Sequence, residues 1–163
     1  MVDLEKIKIQ ILEGTPIEKI LSRFEWSGFE KAVTEIFLAN GFSVKRNFRF
    51  KTKQRYEIDI IASRDGKIIC VDCKGWRDGR NKKHAIVKAA EKQKGRVKQL
   101  KNFVSKNPMA QSLLKISETD QTYIPMIVTL LEEDLKKDDS DALVIPVWKL
   151  NSFLNFSIFE YRF

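Results

Sequence analysis

The chain has 163 residues, 43% of them hydrophobic, enough for one ordinary core and no more, so a single domain is expected. No run of about 18 apolar residues occurs, and Met1-Val2-Asp3-Leu4-Glu5-Lys6 opens an amphipathic stretch, so a soluble, cytoplasmic protein away from membranes is expected. The net charge of +8 points to an anionic partner, while one histidine (His84) and two cysteines (Cys70 and Cys73) leave zinc catalysis and histidine-based triads without ligands or a base.

Residues 3–13 and 15–24 read as two short helices, the second opened by Thr15 as cap and Pro16 in the first turn. Ser27 is expected to cap a longer helix with Phe29, Val33, Ile36 and Phe37 on one side and Asn40-Gly41 as a left-handed stop. Glu30 falls at the edge of that apolar face. It either leans over the sheet or serves the helix's positive N-terminus. Residues 42–50 alternate as a strand and offer Lys45, Arg46 and Arg49 to phosphates.

Residues 56–74 form two apolar, β-branched runs joined by Ser63-Arg64-Asp65-Gly66, and the Asp-Gly pair is a strong hairpin signal. Side chains alternate along a strand, so Asp72 and Lys74 share one face, Val71 and Cys73 take the other, and the hairpin can bring Asp59 beside Asp72. Two adjacent carboxylates on an apolar hairpin repel unless a positive charge sits between them. A divalent cation answers that need, and carboxylate oxygens suit Mg²⁺ or Mn²⁺. Lys74 is then placed to orient or deprotonate a water and to offset charge on a phosphorane-like transition state. The plainer reading is a surface hairpin with an ordinary Asp–Lys pair.

Gly75 to Lys83 is glycine-rich and cationic, so it reads as a loop at the mouth of this site, with Trp76 packing or stacking and Arg77, Arg80, Lys82 and Lys83 as phosphate contacts. The following helix, about 84–105, has an apolar stripe at Ile86, Ala90, Val97, Leu100 and Val104; Gln93 falls on the stripe, either as a structural hydrogen-bonder or, with Gln99, as one of the polar groups of this helix expected to touch the site. Lys88, Lys92, Lys94, Arg96, Lys98 and Lys101 surround the stripe. Residues 124–131 read as a strand buried on both faces, 132–141 as a charged loop, 142–147 as a strand and 148–154 as a closing helix. The aromatic tail, residues 153–163, completes the core or forms a dimer contact. These elements make a three-layer α/β arrangement around a mixed sheet.

Residues 44–106 carry 20 Lys and Arg against 6 Asp and Glu, whereas residues 1–43 carry 5 against 7 and residues 107–163 carry 5 against 9. A field of one sign around paired acids is a funnel for a polyanion, and nucleic acid is the natural one.

Four stretches carry a family resemblance: Gly28-Phe29-Glu30-Lys31-Ala32-Val33 with Asn40-Gly41-Phe42, Glu57-Ile58-Asp59-Ile60-Ile61, Val71-Asp72-Cys73-Lys74-Gly75-Trp76, and Gln99-Leu100-Lys101-Asn102-Phe103. Across residues 26–131 the chain resembles the PD-(D/E)xK nuclease superfamily, with its restriction-endonuclease-like fold, and most closely the Mrr-type restriction and archaeal Holliday-junction-resolvase branches. The resemblance implies Mg²⁺ or Mn²⁺ held by Asp59, Asp72, the Cys73 carbonyl and Glu30, with Lys74 catalytic and Gln99 near the scissile strand. It also implies hydrolysis of DNA to a 5′-phosphate and a 3′-hydroxyl. Two departures stand out: Ile58 where the motif's name has proline, and Phe103 where the RecB-like branch has tyrosine. The expected organisation is a helical extension (1–25), a catalytic core (26–131) and a C-terminal strand and helix (132–163). The function expected is a metal-dependent DNA endonuclease of restriction or repair. A junction resolvase acting as a homodimer, a catalytic subunit with a separate specificity partner, and a DNA-binding module of the same fold without activity stay open.

Overall fold

A computed structural model of the chain describes residues 6, 9–10, 12–16, 19–20, 26–75, 82–116, 121–130 and 142–158, without the side chains of Trp26, Ser27, Lys82 and Ser157. The sheet grows from the Asp65-Gly66 hairpin. Both residues take positive φ, 48° and 75°, as a two-residue type I′ turn requires, and Arg64 pairs with Lys67 across it. Strand β1 (Ser43–Lys51) runs antiparallel to β2 (Arg55–Arg64), which runs antiparallel to β3 (Lys67–Lys74). On the far side of β3, β4 (Thr122–Thr129) and β5 (Leu143–Pro146) add in parallel, giving the order β1-β2-β3-β4-β5 and a mixed sheet.

One helix layer covers each face. Phe29, Val33 and Phe37 of α1 (Trp26–Ala39) pack with Ile60, Ala62, Ile69, Val71, Cys73, Met126 and Val128. The opposite face packs Ile61, Ile68 and Cys70 against Val97, Leu100 and Val104 of α2 (Lys82–Ser105). Strand alternation divides β3 between the two cores, and the buried thiols of Cys70 and Cys73 therefore point to opposite sides, both free. This is the three-layer α/β arrangement that the strand and helix pattern implies.

Helix α1 starts at Trp26, so Ser27 lies inside its first turn instead of capping it. Its end is as expected: Gly41 takes φ 77°, the Phe42 N–H bonds the Phe37 carbonyl and the Gly41 N–H bonds the Leu38 carbonyl. The rings of Phe37 and Phe42 meet edge to face at 5.4 Å, closing that cap with an apolar contact. A short helix, α3 (Pro108–Leu113), is capped by Asn107, whose side-chain oxygen accepts from the Ala110 N–H at 3.1 Å. Asn followed by Pro is its signal. After β5 come α4 (Val147–Ser152) and a π-helical turn, Phe153–Ser157. Most of the two N-terminal helices, the 132–141 loop and the tail beyond 158 lie outside the described residues. No helix among the described residues is long and apolar enough to cross a membrane.

Candidate active site

Strands β1 and β2 change face together at Asn47 and Asp59. Val44 packs with the α1-side core but Phe48 and Phe50 with the α2-side core, although positions four apart in an unbroken strand share a face. On β2, Ile58 joins the α2 side while Ile60 and Ala62 join the α1 side. Arg46 pairs with Ile60 and Phe48 with Ile58, which leaves Asn47 and Asp59 opposite each other at the break. Asn47 has φ 50°, a left-handed conformation that asparagine tolerates better than most residues. The β2–β3 ladder also ends here, at Ile60 with Val71. Beyond it the Cys73 N–H donates to Asp59 Oδ2 at 2.9 Å, so the acid caps the parting strands.

Asp72 lies across this gap, buried to 5% exposure. Lys74 Nζ is 2.9 Å from its Oδ2, and Arg96 Nη1 of α2 is 3.2 Å from its Oδ1. The lysine contact is an ion pair by distance but lacks hydrogen-bond alignment, so Oδ2 is a buried oxygen with no hydrogen-bond donor. The Arg96 contact is aligned. Arg96 Nη1 also donates to Gln93 Oε1 at 3.2 Å, and Gln93, fully buried, donates through Nε2 to the Cys70 carbonyl at 2.9 Å. From the other layer, Glu30 Oε2 sits 3.5 Å from Arg46 Nη2.

Burial first, and then the charges of Asp72 and Glu30, push the Asp59 carboxyl up from 3.8 to about 6, against the opposing pull of the Cys73 N–H and Lys74. The Cys73 thiol is pushed up by burial and by the same three acids. Glu30, Asp59, Asp72 and Lys74 thus act on one point. Because the folded pKa of Asp59 exceeds its unfolded value, the fold holds the proton more tightly and loses stability as pH rises from about 4 to about 6. With solvent screening allowed for, about 1 kcal/mol is expected, or roughly 2–4 °C in Tm. Melting of the metal-free protein at pH 4.5 and 7.5 should show this drop, and Asp59→Asn should shrink it; an equal drop in the variant would assign it to other groups.

Of the other residues singled out by sequence, Gln99 accepts through Oε1 from Thr52 Oγ1 at 3.1 Å, at the β1–β2 turn, while Gln93 and Arg96 are the α2 side chains joined to β3 and Asp72. Arg96 was legible only as one cation among several around the apolar stripe, although it stands one turn from Gln93. Arg46 is paired to Glu30, and Arg49 to Glu57 at 2.8 Å on the surface. Lys45 is exposed and lines a cavity of about 290 Å³ with Leu38, Phe42, Leu113 and Leu114. Lys83 is exposed on the first turn of α2. Trp76, Arg77 and Arg80, and the side chain of Lys82, fall outside the described residues.

The donors at the gap, two carboxylates and the nearby Cys73 peptide oxygen, are hard oxygens of the kind Mg²⁺ and Mn²⁺ take. An ion would satisfy Asp72 Oδ2, which the Lys74 ammonium meets as an ion pair at 2.9 Å without hydrogen-bond alignment, and would offset the repulsion that helps push the Asp59 carboxyl up to about 6. No group of three Asp, Glu, His or Cys side chains among the described residues is assembled as a ligand set. Mg²⁺ commonly takes one or two protein carboxylates and completes its shell from water and substrate, so the donor set fits.

A family model, Mrr_cat, described as restriction endonuclease, matches residues 21–113, which include α1, the β1–β2–β3 meander and α2. An uncharacterised protein of Archaeoglobus fulgidus is 30% identical over 142 residues, covering 85% of this chain and 98% of that protein. Among solved structures, a crystallised protein of unknown function is similar at TM-score 0.43 and 17% identity, over 74% of this chain and 58% of its own. A Vibrio cholerae protein is similar at TM-score 0.34 and 13% identity, over 78% of this chain and 30% of its own. The chain thus spans less than two thirds of either solved structure.

Proposed function

Because the chain belongs to the restriction endonuclease family described by Mrr_cat, we propose that it is a metal-dependent endonuclease hydrolysing phosphodiester bonds in DNA. One observation carries the reading: Asp72, buried and paired through Oδ2 with Lys74 at 2.9 Å, lies at the gap that Asp59 caps and whose charge Glu30 shares. Asp59, Asp72 and the Cys73 carbonyl would hold Mg²⁺ or Mn²⁺, which when bound supplies Lewis-acid stabilisation of phosphate charge and lowers the pKa of water.

The chain's own groups do the rest. Lys74 Nζ, one pleat from Asp72, donates to the attacking water or to a phosphoryl oxygen and offsets negative charge as the bond to the leaving oxygen breaks. Glu30, tied by Arg46 to the sheet edge, contributes negative charge near Asp59 and so favours a cation there. The cations of β1 and α2 supply the field that gathers the DNA backbone. Cleavage leaving a 5′-phosphate and a 3′-hydroxyl belongs to this reading.

The test is a panel of labelled linear, single-stranded, flapped and four-way-junction DNAs with Mg²⁺ or Mn²⁺, beside EDTA and Asp59→Ala controls. Metal-dependent cleavage lost in the variant is the expected result. A strong preference for four-way junctions would move the assignment to a resolvase, and salt-sensitive binding without cleavage would move it to a binding module. Binding should weaken with salt at a log–log slope of about −5, from five or six neutralised phosphates at about −0.9 each. A flat response in a fluorescence-anisotropy titration would remove the basic-funnel argument.

A further inference from the structure

The two cations on Asp72 are held very differently. The two are similarly exposed, 29% for Lys74 and 31% for Arg96, so the difference is one of geometry: Lys74, on a flexible stem, meets Oδ2 without hydrogen-bond alignment. Arg96 meets Oδ1 in good alignment at 3.2 Å and is fixed from behind by Gln93, whose fully buried amide is itself bonded to the Cys70 carbonyl of β3. A guanidinium cannot shed its charge, and its planar fork loses little freedom on pairing. A metal ion approaching Asp72 can therefore displace the lysine cheaply. Displacing the arginine would break two hydrogen bonds and leave Gln93 Oε1 without a donor inside the protein.

We propose that Arg96 is a positioning residue that reserves Asp72 Oδ1 and limits the acidic cluster to one divalent ion, taken on the Oδ2 side, with the guanidinium as the second positive charge of the site. This rests on the metal-dependent reading above and goes beyond it, since paired acids alone leave one ion or two equally open. The arrangement also explains why a fully buried glutamine sits on the apolar stripe of α2. It is the brace that keeps the arginine from following solvent.

The experiment is calorimetric titration of the full chain with Mn²⁺ in the absence of DNA, for the wild type, Arg96→Met and Arg96→Lys, each first checked for cooperative melting. The wild type should bind one Mn²⁺ per chain. Arg96→Met, which keeps the aliphatic stem and removes the charge, should bind Mn²⁺ about ten-fold tighter or take a second ion, because a fixed like charge beside the site is gone. Arg96→Lys keeps the charge but puts it on a flexible stem that a metal ion displaces cheaply, so it should behave like Arg96→Met; wild-type stoichiometry and affinity in Arg96→Lys would overturn the role of the braced guanidinium. Two ions in the wild type would overturn the proposal whether or not the variants fold. So would an Arg96→Met titration indistinguishable from wild type. Absence of any Mn²⁺ binding by the wild type would overturn the metal-dependent reading and this inference with it.

Discussion

Lys74→Ala is expected to lower the cleavage rate by about 10²–10³-fold while DNA affinity stays within about three-fold. The asymmetry comes from what one cation contributes to each process. In binding it is one of the 20 Lys and Arg in residues 44–106, so its loss removes a single electrostatic contact. In the transition state it is the cation one pleat from Asp72, next to the reacting phosphate, where charge develops and where a preorganised donor accounts for about 3–4 kcal/mol. Single-turnover cleavage and equilibrium binding, measured at one salt concentration, separate the two terms. An affinity loss matching the rate loss would place Lys74 in ground-state binding.

Asp72→Asn is expected to abolish cleavage to a similar extent and to lower Tm. Asparagine preserves shape, but Arg96 and Lys74 are then left facing each other without the carboxylate they share, and breaking a largely buried pair from one side costs about 1–3 kcal/mol when the cations keep some solvent. Asp59→Asn should move stability the other way at pH 7.5, since burial and neighbouring acids make the ionised form of Asp59 costly in the metal-free fold. Two substitutions of one kind, at acids across one gap, thus have opposite signs. Thermal melting of both variants in EDTA checks this, and a shared sign would show that the two acids do not occupy the distinct environments described above.

Local signals carried the hairpin and α1. The Asp65-Gly66 turn set the β2–β3 register outright, because only a two-residue turn with positive φ joins Arg64 to Lys67. The stripe of Phe29, Val33 and Phe37, ended by Gly41, is equally local. What the sequence hid depends on long-range geometry. A strand that reverses its faces at Asn47 looks like ordinary alternation when read as letters, and the reversal exists because two neighbouring strands turn together. The link from Arg96 to Asp72 is hidden for a related reason: which residues of α2 overlie β3 is set by how far the helix slides along the sheet, and its periodicity, which singles out Gln93 and Gln99, says nothing of that. Among the surrounding cations, only the approach of Asp72 distinguishes Arg96.

β1 ends the sheet, with no strand on its outer side among the described residues, and its exposed positions are Lys45, Asn47, Arg49 and Lys51. A bare nine-residue strand edge is a template for pairing with another chain, and cations along it are how proteins discourage aggregation. The same side chains therefore have two duties, attracting a polyanion and keeping copies of the protein from stitching together edge to edge. Stripping those charges to weaken DNA binding would also unmask a sticky border, so a loss of apparent affinity in such variants reports on DNA only while the protein stays monodisperse.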